Sequence, residues 1–101
     1  MSRTPYTRNY AVVGRRGEPL TELQFRFLRK LVERSGSVSC YELIDELWPG
    51  VPEPVALNRL RGTVHHLRRR IGDVFESGLG SYRLKYAVRL GVYGSPTEGG
   101  Q

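Results

Sequence analysis

Residues 54–72 read PVALNRLRGTVHHLRRRIG. Leu57, Leu60, Val64, Leu67 and Ile71 recur there at spacings of three, four, three and four. At about 100° per residue those positions form one stripe along a helix. Pro54 suits the first turn, where its missing N–H costs nothing, and Gly72 closes the helix. A helix with one apolar stripe is stable only when that stripe lies on a core. The rest of the chain must therefore supply an apolar surface for it.

The outward side of this helix is the second constraint. Asn58, Gly62, His65 and Arg69 lie opposite the stripe. Arg59, Thr63, His66 and Arg70 form one shoulder, and Arg61 and Arg68 the other. The helix carries five arginines and no lysine, and residues 55–72 contain no acidic residue. A solvated surface helix normally carries carboxylates at i, i+4 to offset its cations. Here the cations repel one another, which points to an external anion. Arginine also offers a planar fork that grips phosphate or reads guanine O6 and N7 with two hydrogen bonds. Gly62 costs about 1 kcal/mol relative to alanine inside a helix. On the exposed side it lets the backbone approach a groove floor closely.

The bulk numbers agree with an anionic partner. The 101 residues carry a formal charge of +6, and the pI is about 10.0. One domain is expected, with residues 1–9 a flexible start, 10–93 the folded unit and 94–101 a disordered tail. Cys40 is the single cysteine, so no intrachain disulfide forms and a reducing, cytoplasmic setting fits. The N-terminus lacks an apolar signal segment, and no apolar run approaches the ~18 residues of a membrane span. Adjacent His65 and His66 point about 100° apart and make a poor chelate, so neither a metal nor another cofactor is expected. Thr63 and His66 are spaced for a hydrogen bond but have no orienting acid, so no enzyme is expected.

The remaining elements follow from local pattern. YAVV (10–13), a Gly-rich turn and Leu20 suggest a short hairpin. Thr21 and Gln24 form a capping box, with Leu20 and Phe25 as its staple, opening a helix that carries Leu23, Phe27, Leu28, Leu31 and Val32 on one face. Gly36 is expected to end it in a left-handed conformation. Ser39 and Glu42 form a second box, with Val38 and Leu43 as staple, before a helix that Pro49–Gly50 ends. Trp48 is expected as a core or hinge aromatic. Val74 and Phe75 lead into a β-hairpin turning at ESGLGS, with Tyr82, Leu84 and Tyr86 alternating against Arg83 and Lys85. Val88, Leu90 and Val92 extend the alternation, so the strand either runs on or turns back.

Strands, three helices and a hairpin in this order make an α+β chain: a winged helix-turn-helix with a short N-terminal β-sheet and a C-terminal β-hairpin wing. LTELQFRFLRKLVERSGSVSCYELIDELWPG, NRLRGTVHHLRRRIGD and SYRL together resemble the OmpR/PhoB-type winged-helix DNA-binding domain of bacterial response regulators. They are similar also to the domain that begins Streptomyces antibiotic regulatory proteins. The resemblance spans roughly residues 10–86. It implies a sequence-specific transcriptional regulator with its third helix (about 54–71) in the major groove of double-stranded DNA. The stretch departs from the family in having no receiver domain before it, so either a stand-alone regulator or an excised domain is expected.

Carried over by position, Arg59, Gly62, Thr63 and His66 face bases. Asn58, Arg61, His65, Arg68, Arg69 and Arg70 face phosphates or the groove edge. The hairpin tip lacks the arginine that the family often carries, which leaves Arg83 and Lys85 to meet phosphate. The loop at 49–54 corresponds to where family members touch RNA polymerase. The resemblance also implies a monomer in solution that sits as a tandem dimer on DNA. The alternative is a protein-interaction winged helix that binds RNA polymerase or another regulator, with DNA binding secondary.

Overall fold

A computed structural model describes residues 9–13 and 16–92. The expected loose start and tail lie outside those residues, apart from Asn9. The elements are β1 (Asn9–Val13), β2 (Arg16–Pro19), α1 (Glu22–Arg34), β3 (Val38–Ser39), α2 (Cys40–Leu47), α3 (Glu53–Ile71), β4 (Phe75–Gly78), β5 (Ser81–Leu84) and β6 (Arg89–Val92). The described residues thus form an α+β fold with three helices and two small antiparallel sheets. Among the described residues no helix is long and apolar enough to cross a membrane.

One sheet has the order β2-β1-β6 and the other β3-β5-β4. The alternation that begins at Tyr82 does turn back. It breaks over residues 85–88, and β6 then pairs with β1, with Leu90 opposite Ala11. The N-terminal hairpin therefore gains its third strand from the far end of the chain. Val38 and Ser39 are a strand as well as the lead-in to α2, with Val38 opposite Tyr82. Two residues are too short a stretch for periodicity to reveal.

The capping chemistry decides where the helices begin. In α1 both halves of the box form: Thr21 Oγ1 accepts from Gln24 N (3.1 Å), and Thr21 N donates to Gln24 Oε1 (3.0 Å). In α2 only one half forms, Glu42 N to Ser39 Oγ at 3.0 Å. The Glu42 carboxylate instead reaches α1, where it pairs with Lys30 at 3.5 Å and with Arg34. The stop of α1 also differs from expectation. Ser35, not Gly36, takes the left-handed conformation, with φ 57°.

The core joins all three helices to both sheets. Leu20, Phe27, Leu28, Leu31, Val38, Leu43, Leu60, Leu67 and Phe75 are essentially sealed from solvent. Phe27 lies at its centre, 5.7 Å from the Phe75 ring and edge-on to Tyr82 at 6.2 Å. The buried stripe of α3 runs Ala56, Leu60, Val64, Leu67 and Ile71, with Leu57 only half-buried. The small alanine takes the buried position at that end of the stripe, and the larger leucine sits at its boundary. Trp48 caps α2, its N–H donating to Ile44 O at 2.8 Å, and packs partly buried against the core.

Candidate nucleic-acid interface

Nineteen residues make α3 about 28 Å long. Pinned along its inner stripe, it presents the opposite side to solvent. Asn58, Arg59, Arg61, His65, His66, Arg68 and Arg69 are all exposed, and Gly62 and Arg70 are half-exposed. A methyl group built on Gly62 meets nothing within 4 Å. No neighbouring element among the described residues explains the missing side chain there. The His65 and His66 rings lie edge-on, with centroids 5.7 Å apart.

Thr63 departs from the expected arrangement. It is 8% exposed and its hydroxyl donates to Arg59 O at 3.0 Å. The helical wheel places it on the arginine shoulder, but the residue is buried and its hydroxyl is turned to a carbonyl of the preceding turn. Its side chain is not part of the exposed basic surface.

The ion pairs divide the cations into two groups. Arg26, Lys30 and Arg34 of α1 meet Glu42 and Glu46 of α2, and Arg29 meets Glu33. In the hairpin, Arg83 pairs with Glu76 directly across the strands at 2.7 Å. Asp73 binds both Arg68 (3.1 Å) and Lys85 (3.2 Å). These last contacts were not legible from the acid-free stretch alone, because the carboxylates come from beyond Gly72. By contrast, Arg59, Arg61 and Arg69 have no acidic partner among the described residues.

The charge field reaches the neighbouring elements. Burial raises the Cys40 thiol pKa, and the Arg61 guanidinium opposes that rise. Burial likewise raises Tyr82, with Arg68 and Arg61 opposing. Because Arg68 and Lys85 share the Asp73 carboxylate, the foot of the hairpin lies beside the C-terminal end of α3. The Lys85 hydrogen bond, with help from Arg68, lowers the Asp73 pKa. At the far end Arg68, Arg69 and Arg70 rim a depression of about 360 Å³ with Val13 and Glu18. Those three arginines also complement the negative end of the helix macrodipole, so part of their placement serves the fold.

At the turn between α2 and α3, Tyr41, Ile44, Trp48 and Val51 line a depression of about 250 Å³. Tyr41 is 60% exposed there. No family model, curated protein or solved structure matches the chain.

Proposed function

We propose that this protein is a sequence-specific double-stranded DNA-binding transcriptional regulator, built and docked as a winged helix of the OmpR/PhoB type. In this reading α3 enters the major groove and the β4–β5 hairpin is the wing. The observation that carries it is the contrast in charge pairing. Cations on α1 and the hairpin have carboxylates, while Arg59, Arg61 and Arg69 on the outward face of α3 have none among the described residues. An anion with a regular array of charges resolves that repulsion. The helix diameter of about 10–12 Å matches a major groove about 12 Å wide.

Arg59, Gly62 and His66 are assigned to the base edges. Asn58, Arg61, His65 and Arg69 are assigned to phosphates and the groove wall. Arg68, Arg83 and Lys85 reach phosphate only by exchanging their carboxylate partners, which makes their net contribution smaller.

Selection of bound sequences from random duplex DNA at a stated, near-physiological salt concentration tests this. A defined motif is expected. Arg59→Ala should lose about 1–3 kcal/mol of discrimination at one or two positions, and Arg69→Ala should weaken all sequences alike. Enrichment of no motif, or identical preferences in parent and Arg59→Ala, overturns the assignment.

A second reading rests on exposed Tyr41 beside the half-buried Trp48 at the 49–54 turn. An aromatic pair around a shallow depression suits a protein partner, and RNA polymerase is the partner proposed. Nuclease-treated pull-downs with parent and Tyr41→Ala separate this from DNA binding, since Tyr41 lies off the α3 face.

A further inference from the structure

Val32, Tyr41, Val55, Leu79 and Tyr86 are the exposed large apolar side chains among the described residues. Apolar residues scattered singly on a surface are ordinary. Val32 and Tyr86 are not single. One comes from the last turn of α1 and the other from the link between β5 and β6, and both line one groove of about 340 Å³. Val32 is 36% exposed there and Tyr86 61%.

The groove has a floor as well as a rim. Leu31 and Val88 line it and belong to the buried core, and Leu84 adds a partly buried apolar wall. The alternation of β5 breaks over residues 85–88, where the chain passes from one sheet to the other. That link and α1 leave the hollow between them. Its volume falls among small-molecule sites, which run from about 300 to 1,000 Å³. Its lining is a handful of residues, where a stable protein interface uses about 20–30 a side.

Charge narrows the ligand further. Arg83 is the ionised residue of the lining. Its Nε donates to Glu76 Oε1 at 2.8 Å, and its Nη2 lies 2.7 Å from the same oxygen. A guanidinium carries five N–H donors, so donors remain for a second carboxylate. From Arg83 to Arg89 the chain reads RLKYAVR, with three cations and no acid. Lys85 is held by Asp73, while Arg89 has no acidic partner among the described residues. An anionic group suits this rim, and a flat apolar body suits walls of valine, leucine and tyrosine. We propose that the groove between α1 and the β5–β6 link binds a small aromatic carboxylate, its ring between Val32 and Tyr86 and its carboxylate on Arg83. The site is independent of the DNA-binding reading, and its test involves no DNA.

Cinnamate is the probe, titrated into the isotope-labelled full chain and followed by backbone amide chemical shifts. Saturable shifts are expected at residues 32–36 and 84–88, with a Kd below about 1 mM. Uncharged cinnamyl alcohol and ring-free acetate should each bind roughly tenfold more weakly, because each lacks one half of the match. Arg83→Gln should weaken cinnamate roughly tenfold, the worth of one charge-assisted contact. Glu76→Gln should strengthen it, because the guanidinium then has no carboxylate of its own. Opposite effects from the two halves of one ion pair are not what a merely structural pair gives. Val32→Glu, at an exposed helical position, should abolish binding, and circular dichroism of each variant checks the fold. A parent without saturable shifts overturns the site. So do shifts confined to α3, which mark unselective anion binding by Arg59, Arg61 and Arg69. Equal Kd for cinnamate and its alcohol, or for parent and Arg83→Gln, overturns the carboxylate assignment. Shifts at the groove that follow protein concentration without ligand overturn the proposal in favour of a second copy of the chain.

Discussion

Arg68 Nε donates to Asp73 Oδ1 at 3.1 Å, across the residue that ends α3, and Lys85 Nζ shares the same carboxylate at 3.2 Å. One acid thus ties two candidate phosphate contacts together and restrains both. Asp73→Asn should release them. Affinity for all duplexes should rise together, and the slope of log K against log salt should steepen by about 1–2. Titration at three or more salt concentrations measures this, and an unchanged slope shows that neither cation reaches DNA.

The same carboxylate carries a pH signature. Its pKa is held below the ordinary aspartate value of 3.8, chiefly by Lys85. A carboxylate with a lowered folded-state pKa stabilises fully above its unfolded value and loses that contribution as pH falls through the folded one. The stability difference between parent and Asp73→Asn should therefore be constant at neutral pH. It should shrink only as pH falls below about 3.8. Urea midpoints across that range measure it, and a difference that fades between pH 7 and 5 contradicts the assignment.

Gly62 separates stability from function. Open space around it means that Gly62→Ala should stabilise the protein by about 0.5–1 kcal/mol. Gly62→Leu should keep much of that gain, yet impair specific DNA binding by holding α3 off the groove floor. Thermal unfolding and anisotropy titrations on the same samples test both halves. Binding by Gly62→Leu equal to the parent removes this face from the groove at that point.

Thr63 tests the revised face. Thr63→Val keeps its shape and loses one hydroxyl bond to a carbonyl. The cost should be within about 1 kcal/mol of stability, with the selected DNA motif unchanged. A shifted motif places Thr63 at the bases after all.

Ser35 adopts φ 57° without being glycine. Ser35→Gly should stabilise the protein by about 0.5–1 kcal/mol, because glycine takes that conformation without a Cβ penalty. Chemical denaturation measures the gain, and destabilisation would show that the serine side chain has a role in the cap.

These cases mark what could be read from the chain alone. The three helices, the α1 box and the hairpin around Leu79 follow from local spacing, because caps and apolar periodicity act within a few residues. The outward arginines of α3 were legible for the same reason. Thr63 was not, since an angle on a wheel does not say how far the core reaches around a helix. The Ser35 stop was misplaced by one residue, because Gly36 next to it carries the stronger left-handed preference. The partners of Arg68, Arg83 and Lys85, the short β3, and the return of β6 to β1 all depend on residues brought together by the fold, and no local pattern encodes them.

That last pairing sets an order of events during synthesis. Asn9 lies opposite Val92, so β1 emerges long before its outer partner exists. At about 5–20 residues per second, the interval is roughly 4–17 s. Through that interval one edge of β1 stays open, and the β1–β2 ribbon alone is marginal in water. The basic face of α3 is complete before the sheet that steadies the domain has closed.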